Sequence, residues 1–321
     1  MKLATWSQKL HNNIVKCTLC PHFCVLSPDQ KGVCLTRQNI EGRLYTLNYC
    51  APATCAIDPV EKKPLFHFYP GSKLFSMGPN GCNFKCTFCQ NHEISQNIVN
   101  TKSFKPQQLI QTIKQYNTIG VAYTFTEPFI WYETIRKIAP EIKNQGLKNV
   151  MVSNGFYNLG PLKQLLPLID AFNIDIKSDH NRFYKDVCKA SLSPVLKACE
   201  TIKKHCHLEI SVPLIPNTNI DRIVRYIYEN LGDDIPLHLV KYFPVKNYSA
   251  MTSETELFNA KIVAKHYLKY VYFGNVSDLD STICPSCKTT LVVRSPDVSV
   301  IPCSAKYLIC NHCFHLTNIQ I

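Results

Sequence analysis

Six short apolar segments alternate with segments of helical spacing between residues 73 and 243, and this alternation constrains the fold more than any other feature of the sequence. Strands and helices that alternate along a chain form a parallel sheet covered by helices. Helical spacing is clearest in 105–117 and in 129–144. The expected strands are 73–78, 120–125, 149–154, 171–176, 207–214 and 237–243.

Polar residues lie at or just beyond the ends of these expected strands. A cysteine-rich loop follows residue 78, Glu127 follows the second strand, Asn154 ends the third and Lys177 follows the fourth. No G-x-G-x-x-G follows any strand, so the dinucleotide-binding fingerprint is missing. The carboxyl ends of parallel strands meet at one face of a barrel. The sequence therefore predicts an incomplete parallel (β/α)6 barrel, similar to a TIM barrel, with a site at that face.

The cysteine content indicates bound metal. The chain of 321 residues has 17 cysteines, an odd number that does not suit the disulfide framework of a short secreted domain. It has no apolar signal-peptide core and no apolar run of the roughly 20 residues that span a bilayer. We expect a cytoplasmic protein with reduced thiols and no membrane association.

The charge of the chain is less informative. Lys and Arg outnumber Asp and Glu by 35 to 23, a net charge of +12, and bound thiolates would reduce it to about +7. A basic chain can bind nucleic acid, but no nucleic-acid-binding motif accompanies the charge. Nucleic-acid binding therefore stays open without support from a motif.

The stretch GCNFKCTFCQNHEISQ (81–96) places three cysteines, Cys82, Cys86 and Cys89, at a C-x3-C-x2-C spacing. A closed zinc site takes four protein ligands, whereas an iron–sulfur cubane held by three cysteines keeps one iron free for an external ligand. A zinc ion completed by His92 is the alternative. The spacing and its place after a strand favour a 4Fe–4S cluster.

Two further cysteine groups flank the predicted barrel. At the C-terminus two C-x2-C pairs predict a Zn²⁺ site in a zinc-ribbon-like module, with Cys303 and His315 nearby. The N-terminal group has the spacing C-x2-C-x3-C-x9-C, which leaves zinc, an auxiliary iron–sulfur cluster and unliganded thiols open, with zinc slightly favoured. The four C-terminal cysteines are Cys284, Cys287, Cys310 and Cys313, and the four N-terminal ones are Cys17, Cys20, Cys24 and Cys34.

The chain is accordingly expected to have three parts. These are an N-terminal cysteine-rich cap (1–66), a core barrel (67–280) and the C-terminal zinc-ribbon-like module (281–321).

C-x3-C-x2-C with Phe88 before its last cysteine resembles the signature of radical S-adenosylmethionine (SAM) enzymes, in particular the branch of the pyruvate formate-lyase activating enzyme. Several other segments resemble the radical SAM enzymes of the AmmeMemoRadiSam system. They are DPVEKKPLFHFYPGS (58–72), YTFTEP (123–128), NIDIK (173–177), LIPNTN (214–219) and FGNV (273–276).

This resemblance implies the chemistry of the site. SAM would bind the free iron of the cluster on Cys82, Cys86 and Cys89, and its reductive cleavage would yield a 5′-deoxyadenosyl radical that abstracts hydrogen from a substrate. Glu127 would accept hydrogen bonds from the SAM ammonium, although Thr124, Phe125 and Thr126 stand where the family has glycines.

The resemblance also assigns roles to other residues, each with an alternative. Lys177 would neutralise the SAM carboxylate and Asp175 would face the reacting centre, unless the two form a solvent-facing ion pair. His238, beside the cofactor in the family, could be a core histidine, and Asn154 could belong to a simple Asn-Gly turn. Phe88, Glu127, Asn154, Lys177 and His238 are the candidate cofactor contacts, and Asp175 and His238 the candidate catalytic residues.

The expected partners follow from the same resemblance. They are an electron donor of the flavodoxin or ferredoxin type, a macromolecular substrate such as a protein glycine, and proteins of the AMMECR1-like and Memo-like families. The hypothesis from another class is a zinc-dependent nucleic-acid or protein adaptor that uses the barrel as a scaffold.

Overall fold

The computed structural model describes residues 1–216, 218–245, 251–295 and 297–321. Asn217, part of the LIPNTN segment, therefore lies outside the described residues. Within the described ranges no helix is both long and apolar enough to cross a membrane.

The N-terminal segment folds into two small antiparallel sheets. In one sheet β3 lies between β2 and β4, and in the other β6 lies between β1 and β5. The strands are β1 (Lys2–Leu3), β2 (Ser7–Lys9), β3 (Val15–Cys17), β4 (Val25–Leu26), β5 (Arg37–Ile40) and β6 (Arg43–Thr46).

The centre of the molecule is one eight-stranded sheet with the order β7-β8-β9-β10-β11-β12-β13-β14. β7 runs antiparallel to β8, and every other neighbouring pair is parallel. The strands are β7 (Thr54–Pro59), β8 (Lys73–Gly78), β9 (Gly120–Tyr123), β10 (Lys148–Ser153), β11 (Ala171–Asp175), β12 (His207–Pro213), β13 (Leu237–Val240) and β14 (Val271–Gly274).

The six expected strands are all present as β8 to β13, and β7 and β14 are additions that the sequence analysis missed. Strands such as β9 are buried on both faces and read as apolar runs, the pattern of a parallel sheet covered by helices. β7 instead alternates buried or partly buried residues with exposed ones along one edge of the sheet, and β14, with two half-buried residues, forms the opposite edge. Since β7 pairs with β8, the central sheet begins within the segment expected to be the cap.

Helices cover the connections between the parallel strands. Both long helices expected from spacing are present, and the second is preceded by a 3-10 turn at Pro128–Trp131. The helices are α1 (His92–Ser95), α2 (Pro106–Gln115), α3 (Tyr132–Asn144), α4 (Leu159–Leu165), α5 (Asn181–Phe183), α6 (Leu192–Lys203), α7 (Ile220–Tyr226) and α8 (Glu254–Lys265). Further short turns are Val60–Lys62, Leu166–Leu168, Tyr184–Cys188 and Ile227–Leu231.

The C-terminal segment forms two small antiparallel sheets around its own apolar cluster, β15-β16-β17 and β18-β19. The strands are β15 (Thr282–Ile283), β16 (Thr290–Val293), β17 (Ser299–Val300), β18 (Tyr307–Ile309) and β19 (Leu316–Gln320).

A buried polar network joins the C-terminal segment to the central sheet. Arg294 donates to the carbonyl of Phe66 at 2.6 Å, and Asn318 bonds to the ring of His67. Asn318 also donates to the carbonyl of Asp234, in the loop before β13. The C-terminal segment therefore packs against the amino-terminal side of β13, away from the carboxyl ends of the strands.

Candidate active site

The carboxyl ends of the parallel strands open into one cavity of about 440 Å³, within the size range of small-molecule sites. Cys82 follows β8 and Asn275 follows β14, and both line it. Seven parallel strands in a flat sheet would place these two ends roughly 29 Å apart. The sheet must therefore curve so that the strand ends converge, as they do at the active face of a barrel.

All three cysteines of the central loop line this cavity and are half-buried. The amide of Phe84 donates to the sulfur of Cys82 at 3.3 Å, and the sulfur of Cys89 lies 3.2 Å from the hydroxyl of Ser95. His92 is exposed at the start of α1 and is not among the described lining residues, so the alternative of a zinc site completed by this histidine has no support.

The loop offers three cysteine ligands, and the charged side chains of Glu127, Asp175 and Lys177 line the same cavity. Burial raises the pKa of the Cys82 thiol, so a bound metal would have to displace its proton. Three cysteines at the wall of a cavity with room for a ligand fit a cluster with one open iron.

Glu127 is buried at the cavity wall and keeps part of its capacity to accept hydrogen bonds. Its carboxylate accepts from the amide of Phe129 at 2.9 Å, the hydroxyl of Ser153 at 2.7 Å and the amide of Asn154 at 2.9 Å. A carboxylate has about four acceptor positions, so one remains for a ligand. Burial raises the pKa of Glu127 to about 7, and a cationic ligand would favour its ionised form.

The backbone before Glu127 takes a conformation that glycine usually supplies. Phe125 has a φ of 69°, and its carbonyl accepts a hydrogen bond from the side chain of Asn91 at 2.6 Å. Left-handed backbone at a bulky residue is strained and uncommon. The replacement of the family's glycines by Thr124, Phe125 and Thr126 thus leaves a glycine-like bend in place.

Asn154 belongs both to a turn and to the cavity. Gly155 has a φ of 72°, as expected of an Asn-Gly turn. The side-chain nitrogen of Asn154 donates to the side-chain oxygen of Asn83 at 2.8 Å and lies 3.8 Å from the sulfur of Cys82. The turn therefore connects the end of β10 with the cysteine loop.

Asp175 and Lys177 point into the cavity from the end of β11, on the same face as expected for residues two apart. Their charged groups lie 2.7 Å apart, and the two side chains are 29% and 17% exposed, so the pair is partly buried. Burial opposes the charge of Lys177, but Asp175 holds the pKa of this lysine above its ordinary value.

Phe88 lines the cavity and is buried against the rings of Phe183 and Tyr242. His238, in contrast, does not lie among the described lining residues. It is fully buried as the second residue of β13, its ring bonds to Glu209 at 2.7 Å and packs edge-on against Phe66. The site assembled here therefore leaves His238 out, since it lies within the strand and not beyond its end.

Some residues of the site carry no sequence signal. Cys188, buried at the end of a π-helical turn, has its thiol within hydrogen-bonding reach of Cys86. Lys63 lines the cavity, where it pairs with Asp58 at 2.7 Å and lies 4.7 Å from the ring centre of Phe125. Cys188 lies behind the lining residues, against Cys86. Both Asp58 and Lys63 fall in the DPVEKKP segment, which the resemblance marked without assigning a role.

The four C-terminal cysteines have the geometry of a site for one ion. Their sulfurs all lie within 4.8 Å of one another, with Cys284 3.6 Å from Cys313 and Cys287 3.5 Å from Cys310. Tetrahedral zinc with bonds of about 2.3 Å places sulfurs about 3.8 Å apart. The thiol of Cys303 lies against the carbonyl of Tyr307 instead.

Each cysteine pair of this group closes in the same way. Lys288 and Phe314, which follow the second cysteine of each pair, have φ values of 66° and 59°. Their amides donate to the carbonyls of Cys284 and Cys310. Phe314, which stands where a glycine is usual, thus still forms the turn.

The comparisons with known proteins agree with this geometry. Residues 78–227, which begin at the end of β8 and include the cysteine loop, Glu127, Asn154 and Lys177, match the model of the radical SAM superfamily. The chain belongs to the radical SAM superfamily. An uncharacterized protein of Methanocaldococcus jannaschii, MJ0808, is 38% identical over 92% of this chain and 92% of its own length.

More distant matches include one sequence relative and one solved structure. The 7-carboxy-7-deazaguanine synthase of the same organism is 25% identical over 63% of this chain and 88% of its own. The solved structure of SuiB of Streptococcus suis bound to S-adenosylmethionine aligns with a TM-score of 0.50 and 10% identity, over 64% of this chain and 52% of that one. This last likeness concerns the fold alone. The adaptor hypothesis has no support among these matches.

Proposed function

We propose that the chain is a radical SAM enzyme that holds a 4Fe–4S cluster on Cys82, Cys86 and Cys89 and cleaves SAM reductively. One observation carries the proposal. The cavity at the strand ends brings these cysteines together with Phe88, Glu127, Asn154, Asp175 and Lys177. When bound, the cluster and SAM would supply a 5′-deoxyadenosyl radical that abstracts hydrogen from the substrate.

The chain's own residues would bind and orient SAM. Glu127 would use its remaining acceptor position for the ammonium, and Lys177, with donors beyond the one given to Asp175, would bind the carboxylate. Asn154 would fix the turn that faces Cys82, and Phe88 would exclude water from one wall.

The substrate and partners follow from the resemblance as further parts of the proposal. A macromolecular substrate, as in glycyl-radical activating enzymes, suits a basic chain, and a flavodoxin or ferredoxin type protein would donate the electron. Membership of the AmmeMemoRadiSam system would make AMMECR1-like and Memo-like proteins functional partners. We also propose that the chain is cytoplasmic and that the four C-terminal cysteines bind Zn²⁺ in a structural site.

The proposal is tested with anaerobically reconstituted full-length protein, SAM and a chemical reductant. The wild type should release 5′-deoxyadenosine, and Cys86→Ala should lose about four irons per chain and all release. Cys55→Ser is the matched control, because this exposed cysteine on β7 lies outside the lining of the cavity. A reconstituted wild type that binds only zinc and leaves SAM intact would refute the proposal.

A further inference from the structure

The four N-terminal cysteines surround a second, much smaller cavity. Cys17 ends β3, Cys20 and Cys24 lie in the loop before β4, and Cys34 lies in the loop before β5. All four line an enclosed space of about 10 Å³, and three of them are buried while Cys24 is half-buried. A space of this size holds one water-sized sphere.

One sulfur of this group has a hydrogen-bond donor that suits a thiolate. The hydroxyl of Thr36 donates to the sulfur of Cys34 at 3.6 Å. Donors of this kind stabilise thiolates at metal sites and orient them toward the ion. Leu19, His22 and Val33, from the loops that carry the cysteines, line the same space.

Arg37 provides an independent indication of bound negative charge. Its side chain is 1% exposed, lines the small cavity and pairs with Glu133 at 2.6 Å. Two further guanidinium nitrogens, Nε and Nη1, are buried without a hydrogen-bond partner among the described residues. A buried donor without a partner costs free energy, and neutral thiols are too weak as acceptors to offset that cost. A divalent ion with four thiolates has a net charge of −2 and would offset it.

We propose that Cys17, Cys20, Cys24 and Cys34 bind one zinc ion, with Arg37 lying against its thiolates. The cavity has room for a single ion but not for a cubane of four irons and four sulfides. The sulfurs of this group are spaced more widely than those of the C-terminal group, so the ion would draw them inward. Bound zinc is the class of centre that satisfies the cavity size, the four cysteines and the buried arginine together.

The proposed centre lies directly behind the cluster loop. Gly81 has a φ of 84°, and a Cβ atom there would lie 2.1 Å from the carbonyl oxygen of Cys34. The ring of His22 bonds to the carbonyl of Asn83 at 2.6 Å. The zinc centre would thus hold the residues on both sides of Cys82, and so support the wall of the cavity without taking part in the chemistry.

Metal analysis of the anaerobically purified full-length chain tests this inference. Wild type should contain about two zinc ions per chain, Cys287→Ser about one and the double variant Cys20→Ser/Cys287→Ser none. Reconstituting Cys287→Ser with Co²⁺ should produce thiolate-to-cobalt absorption that the double variant lacks. Cys55→Ser should keep both ions.

Three results would overturn the inference. A wild type with about one zinc, none of which survives Cys287→Ser, would leave the N-terminal group empty. About eight irons per chain, four of them lost with Cys20→Ser, would make this centre an iron–sulfur cluster. Where Cys20→Ser fails to fold, the double variant Cys86→Ala/Cys287→Ser should still contain about one zinc, because this variant lacks a full set of central cysteines. Its loss of all zinc would overturn the inference. Because the readout is metal content, failure here is distinct from failure to cleave SAM.

Discussion

Lys177 is the residue whose substitution tests the proposed cofactor site most directly. Its ammonium donates to Asp175 at 2.7 Å, and a lysine has three donors. The pair faces the cavity and is only partly exposed, so the charge is less screened there than on the surface. A carboxylate ligand would therefore find a donor already held in place.

Lys177→Ala should weaken SAM binding by about 10- to 100-fold, because a hydrogen bond to a charged group is worth about 1.5–3 kcal/mol. The iron content should not change, since Lys177 is proposed to contact SAM and not the cluster. Equilibrium binding of SAM to the reconstituted protein measures the effect. Lys114→Ala, an exposed lysine on α2, should bind SAM normally. Unchanged affinity in Lys177→Ala would remove this residue from the site.

At the scale of elements, the sequence predicted that polar residues at the strand ends converge, but it did not predict the side-chain environment within a strand. Glu127, Asn154 and Lys177 were found because the carboxyl ends of parallel strands converge. Of the two readings open for His238, the contact with Glu209 of the neighbouring strand fits the core histidine, and the sequence of β13 does not predict that contact. The contact between Cys188 and Cys86 likewise depends on the tertiary fold, since the two residues are far apart in the sequence. β7 was not predicted because it lacks the apolar run of a buried strand.

Glu209, in the amino-terminal half of β12, is the centre of a buried hydrogen-bond network away from the cavity. Its carboxylate accepts four hydrogen bonds, which fill its acceptor positions. Burial would raise its pKa, but hydrogen bonds from His207 and His238 hold the pKa of Glu209 well below its ordinary value. The four donors are the amides of Phe66 and His67 and the rings of His207 and His238.

Glu209→Gln should lower the free energy of unfolding at neutral pH by about 2–4 kcal/mol. The side-chain NH2 group of glutamine would face hydrogen-bond donors that the carboxylate of Glu209 accepts from. A depressed carboxyl pKa gives stability that is fully present above the unfolded value near 4.5 and is lost as the pH falls through the folded value. The difference in the free energy of unfolding between wild type and variant should therefore be constant from pH 7 to about pH 5 and should decrease below pH 5. Denaturant unfolding measures it, and a gap that widens in acid would contradict this role.

At the scale of the whole molecule, the cavity and the C-terminal segment lie at opposite ends of the strands of the central sheet. The cavity is at the carboxyl ends of the strands, whereas the C-terminal segment contacts His67, Phe66 and the loop before β13. A segment of this size has too small an apolar cluster to fold by burial alone. Bound metal would therefore supply much of its folding energy.

Cys287→Ser should remove about one zinc per chain and lower the unfolding temperature by at least about 5 °C, because the C-terminal segment loses its metal while still covering the sheet. The irons on the central cysteines should remain. Metal analysis and thermal unfolding measure both effects. Cys303→Ser is the matched control, since its thiol lies outside the group of four, and it should keep the zinc. A zinc content unchanged by Cys287→Ser would exclude this site.

Above all, we propose that the three-cysteine loop leaves one iron of the cluster free for SAM. Electron–nuclear double resonance of the reduced cluster, with SAM labelled with ¹⁵N at its amino group, tests it most directly. The claim predicts a nitrogen hyperfine coupling that changes with the label and is absent without SAM. A cluster signal that is identical with labelled, unlabelled and omitted SAM would contradict the claim.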